Sequence, residues 1–279
     1  MTVNKRSMAG RLGEAAAILM TVLFHWVVFY FIIINSFKPK SEAAKLSLEL
    51  PKNWYLIENY RYILEYNNHI FLISLWNSVK LTALSLSALV IVASMAAFVI
   101  QRRNDRITRM SHSLILAGLI VPPSVIPTYW MLTKLHVAGT LPGLILVEIA
   151  TLFPFSTMLY KGYIAGLPRE IDEAAVIDGC GPGKLFFYIV FPLLKPITAT
   201  IVILRSVVVY NDFINPLYYM SGSKNTTVQL CVYLFQSAFT TDWGHLFAAV
   251  VIVSMPPLIL YLFLNKQILK GMTMGAVKG

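Results

Sequence analysis

Long apolar stretches separated by short polar connections set the plan of this chain. Six of them run over 15–34, 75–100, 113–132, 141–160, 197–219 and 246–264. A helix needs about 20 mostly apolar residues to cross the hydrocarbon of a bilayer. Each stretch therefore predicts one span, and together they predict an all-α membrane protein with about six transmembrane helices. Prolines interrupt the pattern: Pro122, Pro123 and Pro127 in the third stretch, Pro142 and Pro154 in the fourth, Pro256 and Pro257 in the last. Each removes a backbone donor and bends its helix, which a bilayer tolerates where neighbouring helices or water satisfy the freed carbonyls.

Two shorter segments carry a different pattern. Over 161–195, the longest connection on the side of the N-terminus, the chain reads Leu-Pro-Arg-Glu-Ile-Asp-Glu-Ala-Ala-Val-Ile-Asp-Gly from Leu167 to Gly179. Pro168 suits a helix start, and Glu170, Asp172 and Glu173 suit the first turns, where acidic groups meet the positive end of the helix dipole. Leu167, Ile171, Ala174 and Ala175 recur at helical spacing. Gly179 is placed to close the helix in a left-handed conformation. The expectation is a short helix whose small apolar stripe fits a groove on another protein. A second amphipathic stretch covers 228–239, on the opposite side of the membrane.

Composition agrees with lipid as the main solvent. Hydrophobic residues make up 57% of the chain and charged ones 13%, against roughly 45–50% and about 25% in soluble domains. The mean hydropathy is +0.67. The first stretch is too long for the apolar part of a signal peptide, and no small-x-small cleavage site follows it. Of the 23 Lys and Arg, fourteen fall on the side of the N-terminus and seven on the other. Basic residues favour the cytoplasmic side, so both termini are expected in the cytoplasm. The net charge of +10 is then an inner basic collar, open to anionic lipid, and needs no nucleic acid. Cys180 and Cys231 fall on opposite sides and cannot pair; no metal-ligand spacing occurs.

Chemistry inside the membrane is sparse. Glu148 and Arg205 are the clearest ionisable residues within spans, where such groups face a cavity or a partner. They are expected either to line a substrate pathway or to pair with each other. Asn211 and Asp212 could hydrogen-bond a passing solute, and Tyr129 and Tyr210 could offer it an aromatic face. The segment Gly179-Cys180-Gly181-Pro182-Gly183-Lys184 is not a phosphate-binding loop: Asp178 stands where the first glycine belongs, Leu185 follows the lysine, and no strand precedes it. No H-E-x-x-H pair and no G-x-S-x-G elbow appears. No catalytic residue is expected.

Glu173-Ala174-Ala175 with Asp178-Gly179, followed by Ile189, Pro192 and Pro196, resembles the EAA loop of binding-protein-dependent ATP-binding-cassette (ABC) permeases. Val209 to Leu217 resembles the W-N-D-F-x-x-P-L stretch of the carbohydrate-uptake branch, with Tyr210 where Trp is usual. Asn35-Ser36-Phe37-Lys38 and the tail Gly271 to Gly279 are similar to its maltose permease G-like members. The resemblance implies a type I importer permease fold. It implies a short cytoplasmic N-terminus (1–14), a first transmembrane helix (15–35), a core permease domain (75–266) containing the coupling loop 161–195, and a cytoplasmic tail (267–279). It also implies a second permease subunit, not identical to this one, two cytoplasmic ATPase subunits that hold the ATP and magnesium, and an extracytoplasmic binding protein that delivers a sugar or oligosaccharide. By that likeness Glu173, Ala174, Ala175, Asp178 and Gly179 would couple the ATPase to the membrane part. A secondary transporter, or a permease for another solute such as glycerol phosphate or a polyol, stays open as an alternative.

Overall fold

The computed structural model describes residues 8–220, 226–238 and 242–276, with side chains for 13–220, 226–233 and 242–263. The ends of the N-terminus and of the tail, and parts of the 221–244 segment, lie outside the described residues. Among the described residues the fold is helical, and the single β-bridge joins Gly139 to Met220. The chain forms two compact units. One comprises the chain up to Phe71 with Val232–Ser254, the other Leu72–Cys231 with the chain from Met255.

In the first unit, α1 (Met8–Ser36) leads through a short α2 (Lys40–Ala43) into the outer part of α3 (Leu56–Arg102). Among the described residues, the side chains of the lower part of α1 are exposed, Phe24 and Trp26 included, as suits a helix whose solvent is lipid. Its upper end is anchored by polar contacts. The Lys38 ammonium, 1% exposed, donates to Asn35 Oδ1 (3.0 Å), the Ser47 carbonyl (2.7 Å) and Ser47 Oγ (3.1 Å). Burial pulls its pKa below the ordinary lysine value, against the opposing pull of Glu42 and Glu49. Asn59 Nδ2 donates to the carbonyls of Ser36 and Lys38, both at 2.9 Å. α13 (Trp243–Ala276) begins against this anchor, with Phe247 edge-on to Phe31 and the His245 ring stacked on Tyr62. Gly244 is required there, because a Cβ would stand 2.7 Å from the Lys38 carbonyl oxygen.

The second unit holds α4 (Arg106–Ile120), α5 (Val125–Lys134), α6 (Leu141–Ile164), α7 (Glu170–Ile177), α8 (Pro182–Lys184), a π-helical segment (Leu185–Val190), α9 (Phe191–Leu193), α10 (Lys195–Tyr210) and α11 (Ile214–Tyr219). α12 (Val228–Ala238) follows and crosses into the first unit. Among the described residues, four helices are long and apolar enough to span a membrane, and a fifth span arises if α8 to α9 and α10, bent by 73°, count as one. The third expected span, 113–132, is not one helix. It breaks into α4 and α5 at Val121 to Ser124, where Pro122 and Pro123 cannot continue the hydrogen-bond ladder. Likewise 197–219 stops at Tyr210 and resumes as α11. α3 itself kinks at Tyr66 to His69, where Asn67, Asn68 and His69 all take positive φ. The core of the unit collects Leu81, Leu89 and Ala97 of α3, Leu144, Leu152 and Tyr160 of α6, and Ile201 and Val209 of α10.

Candidate functional site

The loop over 161–195 is built around α7. Its first turn carries Glu170, Asp172 and Glu173. At its end Gly179 takes φ +79°, with its amide on the Val176 carbonyl (3.0 Å) and the Cys180 amide on the Ala175 carbonyl (2.9 Å). This is a Schellman closure, which satisfies two carbonyls that the helix end would leave bare. A Cβ on Gly179 would touch nothing, so the constraint is conformational alone.

Of the apolar stripe predicted as the contact side, Leu167, Ile171 and Ala175 face inward, and Ala174 stays exposed. Ala175 is 5% exposed and belongs to the chain's own core, with Leu167 packed beside it. Leu167, Ile171 and Ala175 are spaced by four, so they share one face of the helix, and that face seals α7 to the membrane part. What remains open to another protein is Glu173, Ala174, Val176, Ile177, Asp178 and Gly179; Ile177 is 85% exposed.

One residue that the sequence pattern did not single out fixes this helix in place. Arg102, the last residue of α3, forms an ion pair with Asp172 (Nε–Oδ2 2.6 Å), both side chains largely buried. Its terminal nitrogens also donate to the Leu167 carbonyl at 3.3 Å and to that of Pro168 at 3.4 Å. In the sequence it is one more member of the inner basic collar. Its only mark is its position at the end of a span, opposite an acidic helix turn. Beyond α7, Phe186 of the π-helical segment packs its ring 5.5 Å from Phe98 of α3.

Of the intramembrane candidates, Glu148 with Asp212, Arg205 and Tyr210 occupy three separate places, and Asn211 and Tyr129 lie apart from these. Glu148, 2% exposed, accepts from Asn215 Nδ2 at 3.3 Å and lies within hydrogen-bonding reach of the Asp212 carboxyl group. Asp212 Oδ1 in turn accepts from the amides of Ile214 (3.0 Å) and Asn215 (3.3 Å), capping α11. The alternative in which Glu148 pairs with Arg205 is not formed. Arg205 lies over the Phe155 ring, 4.3 Å from its centroid. Phe155 is seven residues further along α6 than Glu148, about 10 Å at 1.5 Å per residue. Asn211 accepts from Gln229 Nε2 at 2.9 Å, linking the end of α10 to α12. Tyr129 is exposed on α5.

Tyr210 lines the third place, a cavity of about 440 Å³ between α3, α10 and α13. Thr82, Ser87, Thr198 and Ser206 also face it. Thr82, Ser87 and Ser206 give their hydroxyl protons to helix carbonyls of Ser78, Ala83 and Ile203, and Thr198 Oγ1 accepts from Tyr160. Among the described residues, no Asp, Glu, Lys, Arg or His lines the cavity. Neither Arg205 nor Glu148 reaches it. Among the described residues no cluster of three or more His, Cys, Asp and Glu could hold a metal ion.

Apolar helices, several of them broken, with a capped helix projecting from the loop over 161–195, fit a membrane-embedded permease subunit of the type I importer architecture. Residues 89–274 match the family described as binding-protein-dependent transport system inner membrane component, and the chain belongs to it. It is 31% identical to the melibiose/raffinose/stachyose import permease protein MelC of Bacillus subtilis, over 91% of this chain and 92% of that one. It is 32% identical to the multiple sugar-binding transport system permease protein MsmG of Streptococcus mutans, covering 88% and 89%. Identity to the probable starch degradation products transport system permease protein AmyC of Thermoanaerobacterium thermosulfurigenes is 29%, covering 90% of each. The fold matches a solved chain of a bacterial ABC transporter involved in the import of the acidic polysaccharide alginate. The TM-score is 0.81 at 19% identity, over 95% of this chain and 99% of that one. The chain is therefore a multi-pass inner membrane subunit of an importer, a transport component and not an enzyme.

Proposed function

We propose that the chain is one of two non-identical permease subunits of an ABC importer for a neutral sugar or oligosaccharide. An extracytoplasmic binding protein delivers the solute, and two ATPase subunits holding ATP and magnesium drive it through. The observation that carries this reading is α7. It is a short helix on the cytoplasmic side, closed at Gly179 and braced by Arg102, with Val176 and Ile177 exposed beside an acidic turn. Such a surface suits a cleft in an ATPase subunit, with Glu173, Ala174, Asp178 and Gly179 at the contact and Ala175 holding the helix from behind. The second amphipathic segment, α12, lies on the side where the binding protein would dock.

The neutral character of the solute is read from the cavity. Its hydroxyl oxygens are acceptors for sugar hydroxyl groups, Tyr210 offers a ring, and no lining charge would recognise a carboxylate or phosphate. The relatives named for melibiose, raffinose, stachyose and starch products support a sugar. Glu148, Asp212 and Asn215 hold the turn between α10 and α11, directly after Tyr210, which lines the cavity.

The test is reconstitution of the chain with its ATPase, sister permease and binding protein in liposomes, comparing wild type with Gly179→Pro and Glu173→Lys. Sugar-stimulated ATP hydrolysis and uptake are expected to collapse together in both variants while membrane insertion is retained. Neutral oligosaccharides are expected to be taken up, and uronate oligomers or glycerol phosphate are not. Uptake driven by an ion gradient without the ATPase would replace this reading with a secondary transporter.

A further inference from the structure

Five basic side chains converge at the cytoplasmic shoulder of the second unit and have no role in the cavity or on α7. Arg103 at the end of α3, Arg109 and His112 on α4, Lys161 on α6 and Arg169 just before α7 line a polar pocket of about 280 Å³. One carboxylate answers them: Asp105, 2.9 Å from Arg103. Among the described residues, Arg109, Lys161 and Arg169 have no acidic partner within ion-pair distance. Lys161 Nζ stands 2.7 Å from His112 Nε2, an arrangement that holds when the ring is neutral and accepts from the ammonium. Cations gathered around a hollow with little counter-charge raise the local positive potential and favour an anion there.

The pocket opens into something a soluble anion would not use. Ile100, Arg103 and Thr108 also line an adjoining groove of about 590 Å³, whose other walls include Met95, Val99, Leu114, Ile115 and Phe153. The groove follows α3 from Met95 to Arg103, about 12 Å of helix axis, and points away from the basic end into the apolar stretch. A phosphate-sized basic hollow continuous with an apolar channel is complementary to an amphiphile whose head is anionic. Its level, where the spans leave the cytoplasmic side, is that of the inner leaflet's headgroups.

We propose that this shoulder is a binding site for an anionic phospholipid of the inner leaflet. Arg103, Arg109, Lys161 and Arg169 receive the phosphate, and one acyl chain lies in the groove between α3, α4 and α6. The occupied site would bridge the end of α3, beside Arg102, to Arg169, which immediately precedes α7. The lipid would thus bear on the same cytoplasmic helix that Arg102 braces.

The assembled transporter, placed in phosphatidylcholine nanodiscs with and without phosphatidylglycerol, tests this. Native mass spectrometry reads the lipid retained, and thermal unfolding reads the midpoint. Phosphatidylglycerol is expected to be retained over phosphatidylcholine and to raise the midpoint. Arg109→Gln and Lys161→Gln are each expected to weaken its retention about fivefold, the weight of one basic residue at an anionic surface. Ala96→Trp, which fills the groove and leaves every cation in place, is expected to reduce phosphatidylglycerol retention while leaving the response to sodium phosphate unchanged. Equal retention of the two lipids by wild type would overturn the proposal, as would basic-pocket variants that keep their phosphatidylglycerol. A midpoint rise reproduced in full by sodium phosphate would make it a soluble-anion site. Crosslinking of Arg109→Cys to an acidic segment of the sister permease, undiminished by lipid, would make it a subunit contact.

Discussion

Arg102 does at one position what no pattern of apolar residues could do. The ion pair to Asp172 and the bonds to the Leu167 and Pro168 carbonyls attach the end of a span to the start of α7. Replacing the side chain leaves a largely buried carboxylate and two carbonyl oxygens without their donor, and hydrogen bonds to charged groups contribute about 1.5–3 kcal/mol each way. Arg102→Ala is therefore expected to lower the thermal midpoint of the purified complex and, more specifically, to reduce the sugar moved per ATP hydrolysed. The exchange Arg102→Asp with Asp172→Arg should recover part of that ratio by restoring the pair but not the carbonyl bonds. If the exchanged variant transports no better than Arg102→Ala, the ion pair is not what positions α7. Gly179 could be read in advance, because only a residue that accepts positive φ ends a helix in this way. Arg102 could not, because its partner is 70 positions away and nothing local distinguishes it from Arg103.

At the scale of elements, the apolar periodicity gave the right class everywhere and the wrong continuity in places. The stretch at 113–132 reads as one span by hydropathy alone, yet Pro122 and Pro123 divide it. The prolines were visible in advance, but hydropathy does not say whether a proline bends a helix or ends it. Pro154 sits inside α6 without ending it, and Gly118 of α4 lies close to it; a Cβ on that glycine would come 3.1 Å from Pro154 Cγ. The inward-facing Ala175 failed for a related reason, since a small apolar stripe fits equally well against a partner or against its own protein. α4 begins with a reciprocal cap: Asp105 Oδ1 accepts from the Thr108 amide at 2.8 Å, and Thr108 Oγ1 accepts from the Asp105 amide at 3.1 Å. The bond from Thr108 holds the Asp105 carboxyl group below the usual aspartate range, with Arg103 adding to the effect. The stabilisation is thus complete above the unfolded aspartate value, about 3.9, and is lost as pH falls through the lower folded value. Amide exchange at Thr108 should accelerate on acidification below about pH 4, and in Asp105→Asn that pH step should disappear.

Across the whole molecule, the charge ledger and the hydropathy agree on a single placement in the membrane, and the cysteines offer an independent check of it. Cys180 follows the closure of α7 on the cytoplasmic side and is half-buried, while Cys231 is buried in α12. A membrane-impermeant maleimide should label Cys180 in inside-out vesicles and spare it in right-side-out ones, with Cys231 unlabelled in both. Binding of the ATPase subunits should slow the labelling of Cys180. Labelling of Cys180 from the outer face would invert the topology. The count of basic residues supplies an expectation for the sides, and the labelling tests it. The sequence could not foresee that the uncharged cavity leaves Glu148 and Arg205 outside, since that depends on how three helices are rotated about their axes. The 73° elbow between α9 and α10 adds a mechanical consequence. It acts as a bell crank: a thrust delivered along one arm on the cytoplasmic side leaves the other as a sideways swing within the bilayer, so a pathway wall can be shifted with no helix stretched, shortened or unwound.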